Sequence, residues 1–240
     1  MEVINYLLGY ENLKIYQNTD MFNFSLDSVL LPNFVTLSKK TKKILDIGSG
    51  NAVIPIILST KTNALIDAVE IQKEVYELGV KSIKLNKLED RINLYNEDIK
   101  DFYKNSETDV YDTITCNPPF FKKVETSNVN ESIYKTIARH EVMLNLDDIM
   151  KIAKKLLKNN GNIAIVHRTD RLIDIIETMR KYNIEPKKIR FIYPKVNTES
   201  NIVLVEGTKN GKPGLKILNP LISHNENDEY TDELKEYFTE

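Results

Sequence analysis

The sequence predicts an α/β fold in which helices cover both faces of a doubly wound, mostly parallel sheet. Apolar runs of strand length alternate with helical patterns along most of the chain, which is the order that parallel strands and crossover helices require. Polar side chains follow each of the first four core strands and together outline a crevice. With 240 residues, 41% of them hydrophobic, the chain is long enough for one such domain with short extensions.

The first core strand, residues 43–47, runs into a glycine turn and then into an apolar helix. Gly48 and Gly50 let the backbone approach a ligand closely, which a Cβ would prevent. The turn differs from the dinucleotide-binding fingerprint, because Ala52 stands where a third glycine is common and Asp46 precedes the first glycine. An acid at the strand tip repels pyrophosphate but suits a cation, so the turn predicts a ligand that carries positive charge.

The next two strands are each followed by an acid. Glu70 closes the strand at residues 64–69 and is placed to accept hydrogen bonds from two ribose hydroxyls, as the acid after the second strand does in nucleotide-binding folds. Asp98 follows the strand at residues 92–95, where its carboxylate is placed to accept from an adenine amino group. Each acid alone is also consistent with a solvated loop residue or a helix cap. Their order and spacing together favour a nucleoside site.

The fourth strand, residues 110–116, leads into Asn117-Pro118-Pro119-Phe120. Each proline fixes its own φ at about −65° and lacks an N–H, so the turn is stiff. The Asn117 side-chain oxygen and the Pro118 carbonyl then face outward as acceptors for the two N–H groups of a planar amine, and Phe120 offers a ring face for stacking. A Pro-Pro turn after a buried strand explains the tetrapeptide equally well when it is taken alone.

The remaining elements complete the predicted sheet. A short helix is expected at residues 99–103, and polar residues 125–131 are expected to form a substrate loop. An amphipathic helix over residues 146–157 is expected to end at Asn159-Asn160-Gly161. The later elements are a strand at 161–166, a helix at 171–182, an antiparallel hairpin of strands 188–193 and 202–206 at the sheet edge, and a short strand at 215–217.

The Asn-Pro-Pro-aromatic motif, with the glycine turn and the acids before it, resembles the amino-methylating group of class I S-adenosylmethionine-dependent methyltransferases. Residues 17–31 and Ala138-Arg139-His140-Glu141 narrow the resemblance to the bacterial tRNA1(Val) adenine-37 N6-methyltransferase family, which modifies the purine immediately 3′ of the anticodon. This resemblance covers nearly the whole chain. It implies a Rossmann-like class I methyltransferase fold with a seven-stranded sheet and an antiparallel edge hairpin.

The resemblance also implies S-adenosylmethionine as the cofactor and the anticodon loop of a tRNA as the partner. Residues 1–40 are expected to close over the cofactor, residues 41–207 to form the core, and residues 208–240 to form a tail, all in one methyltransferase domain. The implied cofactor-binding residues are Phe24, Asp27, Asp46, Gly48, Gly50, Glu70, Ile71, Asp98, Ile99 and Asn117. The implied catalytic residues are Asn117, Pro118, Pro119 and Phe120, and the implied substrate-binding residues are Lys122, Lys123, Arg139 and His140.

The same acceptors serve other amino methyltransferases. A glutamine-N5 methyltransferase that acts on a protein such as a release factor is one alternative, but that family carries a larger helical N-terminal domain, whereas 42 residues precede the first core strand here. An rRNA or DNA adenine-N6 methyltransferase is another, which typically adds a recognition domain. A nucleic-acid-binding protein on a degenerate methyltransferase fold is disfavoured by the intact Asp46, Gly48, Gly50, Glu70, Asp98 and Asn117.

Charge and hydropathy limit the kinds of partner that the protein is expected to bind and the compartment in which it is expected to lie. The net charge of −2 argues against a protein that coats nucleic acid nonspecifically. A late group of cations is as consistent with scattered solvated side chains as with a phosphate-binding patch: Lys187, Lys188, Arg190 and Lys195. No stretch approaches a membrane span and the N-terminus lacks the pattern of a signal peptide, so a cytoplasmic protein is expected.

Cysteine and histidine content argues against a disulfide or a metal site. Cys116 is the single cysteine and is expected to be a small core residue. His140, His167 and Glu141 are too few and too dispersed for a zinc site, so no metal is predicted. A monomer or a weak homodimer is expected.

Overall fold

The N-terminal part of the chain forms a small hairpin and the first helix. The structure, a computed structural model, describes residues 1–19, 26–118 and 144–238. Strands β1 (Glu2–Tyr6) and β2 (Lys14–Asn18) pair antiparallel in a separate two-stranded sheet, and helix α1 (Leu26–Phe34) follows. The hairpin is tied to a helix of the core, because the backbone N–H of Tyr16 donates to Ser82 Oγ at 2.9 Å.

The central sheet is mostly parallel, as the sequence predicts. Within the described ranges its strands are β3 (Lys43–Ile47), β4 (Leu65–Val69), β5 (Ile92–Tyr95), β6 (Tyr111–Cys116), β7 (Leu157–Arg168), β8 (Ile184–Tyr193), β9 (Ile202–Lys209), β10 (Lys216–Ile217) and β11 (Leu221–Ile222). Seven of them lie in the order β5-β4-β3-β6-β7-β9-β8, and β10 and β11 both pair with β8. β9 is antiparallel to β7 and β8. The doubly wound sheet with its antiparallel hairpin is therefore confirmed, and two short strands extend it beyond the hairpin.

The sheet separates two apolar cores. In the described parts of the chain, the helices after α1 are α2 (Val53–Lys61), α3 (Lys73–Leu85), α4 (Ile99–Asn105), α5 (Leu146–Leu156), α6 (Leu172–Lys181) and α7 (Asp232–Phe238). Alternate residues of β7 serve the two cores: Ala164 and Val166 pack with α1 and α2, whereas Ile163 and Ile165 pack with α5 and α6. Within the described ranges, no helix is long and apolar enough to cross a membrane.

The predicted helix over residues 146–157 is confirmed to within one residue, but the prediction that Asn159-Asn160-Gly161 stops it is wrong. α5 ends at Leu156, and β7 begins directly after it and includes that motif. The motif instead forms an irregularity inside β7, because Leu157 pairs with Tyr111 whereas Asn162 already pairs with Thr113. Its central asparagine has a φ of 62°, the left-handed conformation that asparagine tolerates. The same backbone preference that ends helices is used here to bend a strand.

Candidate active site

The carboxyl ends of β4, β3 and β6 lie side by side at one edge of the central sheet. Ile47 at the end of β3 pairs with Val69 of β4 on one side and with Cys116 of β6 on the other. The residues that follow these three lie at the same level, with neighbouring strands about 5 Å apart: Gly48, Glu70 and Asn117. Chain order reverses between β3 and β6, and open α/β sheets bind ligands at such a reversal.

The glycine turn after β3 is pinned to β4 and leaves open space beside its glycines. Gly48 has a φ of 68° and Gly50 a φ of 59°, and a Cβ built on either would meet no described atom within 4 Å. The N–H groups of Gly48 and Ser49 both donate to the Val69 carbonyl at 3.0 Å. Ala52 has a φ of 69°, which strains an L-residue with a Cβ. The turn therefore offers a ligand close approach to its backbone.

Glu70 is a buried acid whose carboxylate is fixed by backbone N–H groups. Its Oε2 accepts from Gly50 N at 2.9 Å, and its Oε1 accepts from Gln72 N at 2.8 Å. Asn96 Nδ2 donates to the Glu70 carbonyl at 2.9 Å and ties the end of β5 to the end of β4. These two contacts fix the orientation of the carboxylate, and a carboxylate oxygen is a group that accepts from hydroxyls.

Asp46 has no exposed surface and lies beneath the glycine turn. Its Oδ1 accepts from Thr115 Oγ1 at 2.6 Å across the β3–β6 pairing, and its Oδ2 has no hydrogen-bond partner among the residues that the structure describes. Burial raises the pKa of Asp46 to about 7, the Thr115 and Ser49 hydroxyls oppose that rise, and the charge of Glu70 adds to it. A cation in the crevice stabilises the ionised form, so the acid favours a positively charged ligand.

Asn117 directly follows β6 and is anchored to α1. Its Nδ2 donates to Ser28 Oγ at 3.0 Å, which leaves Oδ1 as the acceptor end of the amide. Asp27 precedes Ser28 in the first turn of α1 and is 8% exposed. Pro118 follows Asn117 and is buried. Helix α1 therefore brings the N-terminal extension to the carboxyl end of β6.

The residues expected around an adenine lie at the ends of β4 and β5. Ile71 follows Glu70 and is 38% exposed, whereas Ile99 at the start of α4 is 6% exposed. Asp98 caps α4, because its Oδ1 accepts from Lys100 N at 2.8 Å. The helix-cap alternative raised for this acid therefore holds for one of its oxygens, and a contact with adenine requires the other.

Two hydrogen bonds of the site were not predicted from the sequence. Thr115 holds Asp46 and Ser28 holds Asn117, and both hydrogen bonds join residues far apart in the chain. A polar residue at an alternate position of an apolar strand was the available signal for Thr115. Several predicted residues lie outside the described ranges, as does the expected substrate loop at 125–131: Phe24, Pro119, Phe120, Lys122, Lys123, Arg139 and His140.

The cysteine and the buried histidine sit in the protein interior. Cys116 is fully buried, and burial raises the pKa of its thiol, so the prediction of a core residue is confirmed. His167 is 7% exposed, and burial lowers its pKa to about 4. In the part of the chain that the structure describes, no three His, Cys, Asp or Glu side chains are grouped as metal ligands. His140 and Glu141 lie outside that part.

Curated relatives resemble this chain over most of its length. The tRNA1(Val) (adenine(37)-N6)-methyltransferase of Parabacteroides distasonis is 25% identical over 232 residues, which cover 95% of this chain and 96% of that protein. The protein of the same name from Flavobacterium psychrophilum is 25% identical over 217 residues, which cover 83% of this chain and 91% of that one.

Solved structures share the fold. A predicted O-methyltransferase from Agrobacterium tumefaciens superposes with a TM-score of 0.70 at 18% identity, covering 89% of this chain and 97% of that one. TYW2 of M. jannaschii in complex with AdoMet superposes with a TM-score of 0.56 at 16% identity, covering 86% and 85%. The sequence model of the methyltransferase small domain matches residues 25–183, which is more than half of the chain. The protein therefore belongs to the methyltransferase small domain family.

Proposed function

We propose that this protein transfers a methyl group from S-adenosylmethionine to the exocyclic N6 amine of an adenine in tRNA, and that this adenine is position 37 of tRNA1(Val). The observation that carries the proposal is the position of Asn117 and Pro118, which follow β6 one strand away from the glycine turn. A cofactor at the turn and an amine at these acceptors then share one crevice. The names of relatives that align with most of the chain support the choice of substrate.

The residues at the carboxyl edge fit S-adenosylmethionine, which combines an adenosine, a sulfonium cation and an α-amino acid. When bound, this cofactor supplies an electrophilic methyl group. Glu70 offers a fixed carboxylate for the ribose hydroxyls, and the open space beside Gly48 and Gly50 admits a ligand against the backbone. The buried oxygen of Asp46 supplies negative charge beneath the turn, which suits the cation and disfavours a diphosphate.

The adenine of the cofactor is assigned to the ends of β4 and β5. The remaining contacts of the cofactor are assigned to α1 and the residues before it. Ile71 and Ile99 would contact the faces of the base, and Asp98 would accept from its amino group. Asp27 and Phe24 belong to the extension, residues 1–40, that closes over the cofactor in this proposal. The core then comprises residues 41–207 and the tail residues 208–240.

Asn117 and Pro118 hold the amine that receives the methyl group. Because Ser28 accepts from the Asn117 amide nitrogen, the acceptors assigned to the amine are Asn117 Oδ1 and the Pro118 carbonyl. Accepting both N–H groups draws the adenine nitrogen toward a tetrahedral geometry and aims its lone pair at the methyl carbon. Phe120 stacks on the target base as positive charge develops there. The methylated amine is positively charged and loses its proton readily, so no general base is assigned.

The tRNA is held by cations that follow the catalytic loop. Lys122, Lys123, Arg139 and His140 are proposed to contact phosphates, which provides affinity without base specificity. A base of the anticodon loop is easier to extrude into such a pocket than a base in a duplex. In this proposal the protein acts in the cytoplasm, without a metal ion, as a monomer or a weak homodimer.

The proposal is tested by transfer of radiolabelled methyl from S-adenosylmethionine to bulk unmodified tRNA, followed by nuclease digestion and nucleoside analysis. The expected result is label in N6-methyladenosine that depends on the protein. Label in another nucleoside, or in an added release factor and not in RNA, would contradict the proposal. The second outcome would support the glutamine-N5 alternative.

A further inference from the structure

Strand β1 is an exposed edge of the small sheet that it forms with β2. Its register with β2 is regular over Glu2–Tyr6, so no bulge twists the edge away. Ile4 is 49% exposed and Tyr6 is 59% exposed, and both lie on the same face of the strand. Native proteins commonly protect an edge strand with lysine, proline or a bulge, and β1 contains none of these. The edge is therefore open to pairing with another strand.

The backbone groups that face this edge belong to alternate residues. The Thr19 N–H donates to the Met1 carbonyl and the Leu7 N–H donates to the Leu13 carbonyl, so odd-numbered residues of β1 exchange hydrogen bonds with β2. Even-numbered residues then direct their N–H and carbonyl groups away from β2. In the part of the chain that the structure describes, no hydrogen bond reaches the outward backbone groups of three residues: Glu2, Ile4 and Tyr6.

The other edge of the hairpin is already occupied. Its outward backbone groups are those of Lys14 and Tyr16 in β2. The Tyr16 N–H donates to Ser82 Oγ at 2.9 Å, and the Tyr16 carbonyl accepts from Asn51 Nδ2 at 3.0 Å. The Lys14 N–H donates to Asn86 Oδ1 at 3.1 Å, and Asn86 Nδ2 donates back to the Lys14 carbonyl at 2.6 Å. Side chains of the core thus pair the outward groups of β2, which leaves β1 as the open edge.

We propose that β1 pairs antiparallel with β1 of a second copy of this chain, about a two-fold axis at Ile4. This register places Ile4 opposite Ile4 of the second copy, and Glu2 opposite Tyr6 of the second copy. All of these residues direct their backbone groups outward, so each opposed pair exchanges both of its hydrogen bonds. The contact is isologous, which is the commonest arrangement in homo-oligomers. The two hairpins then form one continuous sheet.

The side chains of the two copies are complementary in this register. The two Ile4 side chains lie opposite each other at the axis, where a cross-strand pair of branched side chains stabilises a sheet. Lys14 Nζ lies 4.8 Å from the centre of the Tyr6 ring on the neighbouring strand. Glu2 of the second copy lies on the other side of Tyr6, so a lysine and a carboxylate share one row at each end of the contact. A strand of unrelated sequence gains only the backbone hydrogen bonds.

The contact is small, and the dimer is therefore expected to be weak. Two strands of five residues bury less than the roughly 1,600 Å² of a standard protein–protein interface. Dissociation is expected in the micromolar to millimolar range. Sedimentation velocity of the full chain between about 10 μM and about 1 mM covers this range. A parent protein that stays monomeric throughout it would overturn the proposal.

Ile4→Pro tests the backbone pairing. It removes the outward N–H at the axis from both copies and should raise the dissociation constant of the dimer by about tenfold or more. The hydrogen bonds to β2 are retained, because this N–H does not take part in them. Ile4→Val is the matched control, since it keeps the N–H and a branched side chain, and its dissociation constant should stay closer to that of the parent. An Ile4→Pro variant that dimerises as tightly as the parent would contradict the pairing.

Disulfide formation tests the register without a proline. Cys116, the single cysteine of the chain, is buried and does not compete with an introduced thiol. In Ile4→Cys the two thiols face each other across the axis, with Cα atoms about 5.5 Å apart, which a disulfide spans. In Tyr6→Cys, the control on the same face, they lie about 13 Å or more apart. Under mild oxidation Ile4→Cys should form the covalent dimer several times faster than Tyr6→Cys, and equal rates would overturn the register.

Discussion

Asp46 couples its own ionisation to what occupies the crevice. Burial raises its pKa to about 7 from an ordinary value of 3.8. Between these values the folded protein retains a proton that the unfolded chain has released. The free energy of unfolding therefore falls as the pH rises through this window, and the full penalty of the buried charge is present above it. A bound cation stabilises the buried carboxylate. The same acid therefore lowers the stability of the unliganded protein and raises its affinity for a cationic ligand.

Asp46→Asn is expected to raise the free energy of unfolding above about pH 7 by on the order of 2–4 kcal/mol, and by progressively less as the pH falls toward about 4. The measurement is urea unfolding across this range. Thr115→Val is the companion variant, because it removes the hydrogen bond that favours the ionised acid and should extend the loss of stability to higher pH. A stability difference between Asp46→Asn and parent that is constant with pH would show that Asp46 does not titrate as described.

Asn117 and Glu70 are expected to fail in different ways when they are changed. Asn117→Ala removes an acceptor that acts in the transition state, so kcat should fall by about a hundredfold or more while affinity for S-adenosylhomocysteine stays nearly intact. Glu70→Ala should instead weaken S-adenosylhomocysteine by about tenfold or more, since it removes two hydrogen bonds to a charged group. Calorimetry and steady-state kinetics separate the two effects.

Glu70→Gln is the control for Glu70→Ala. The amide oxygen of the glutamine retains one of the backbone contacts that position the glycine turn. It should bind S-adenosylhomocysteine more tightly than Glu70→Ala and less tightly than the parent. An Asn117→Ala variant that loses binding as severely as Glu70→Ala would contradict the division of roles.

The sequence predicts those residues of the site whose position follows from the strand that they end or follow. Asp46, Gly48, Glu70 and Asn117 were found because each directly ends or follows an apolar strand, and parallel strands bring such positions to one edge. The contacts that orient them were not found. Thr115 and Ser28 reach the site through pairings between distant segments, which a single sequence does not display.

At the scale of elements, the strands that build the site and helix α5 were predicted within one residue, whereas the start of β7 was not. Strands β3 to β6 are short apolar runs with polar residues on both sides, so their limits are visible in the sequence. Asn159-Asn160-Gly161 signals a left-handed backbone but not whether that backbone ends a helix or bends a strand. The pairing of β7 with β6 decides between the two.

Gly161→Ala tests how tightly the irregularity in β7 is packed. A Cβ at this position would lie 2.9 Å from the Asp112 carbonyl and 3.0 Å from the Lys158 carbonyl, and both are backbone atoms that cannot move aside cheaply. Gly161→Ala should therefore lower the free energy of unfolding by about 1–3 kcal/mol, the usual cost of overpacking. Urea denaturation measures it. An unchanged or increased stability would mean that the irregularity in β7 tolerates a side chain.

At the scale of the whole molecule, the cationic side chains in and directly after β8 form contacts within the protein. Lys188 Nζ donates to the Phe34 carbonyl at 2.7 Å, and Arg190 Nη2 lies 3.0 Å from Glu233 Oε1. Lys195 pairs with the exposed Asp228 at 2.7 Å. Solvated scatter and phosphate binding were equally consistent with these residues in the sequence, and the structure shows a partner within the protein for each of the three. The proposed tRNA contacts remain the cations after the catalytic loop.

Salt dependence distinguishes these two groups of cations. Lys122→Ala with Lys123→Ala should raise the KM for tRNA and flatten its dependence on salt, with a change in log–log slope of about 0.7 for each phosphate that the variant no longer neutralises. Lys187→Ala is the matched control, since Lys187 Nζ donates to the Lys212 carbonyl at 3.0 Å, and it should leave both quantities unchanged. Equal effects of the two changes would place the tRNA elsewhere on the surface.

The doubly wound topology was predictable because alternating strands and helices admit few arrangements, whereas the separate β1–β2 hairpin was not foreseen. Its strands are short and belong to a two-stranded sheet that depends on packing against α3. The sheet order places the glycine turn and Asn117 at the ends of neighbouring strands, as the proposed methyl transfer requires.

Methyl transfer to two transcripts of tRNA1(Val) that differ only at position 37 tests the proposed reaction. The expected result is label in N6-methyladenosine on the transcript with adenine there, no label on the transcript with guanine there, and no label on either transcript with Asn117→Ala. Equal label on the two transcripts would contradict the proposed target base, and full activity of Asn117→Ala would contradict the assignment of the amine acceptor.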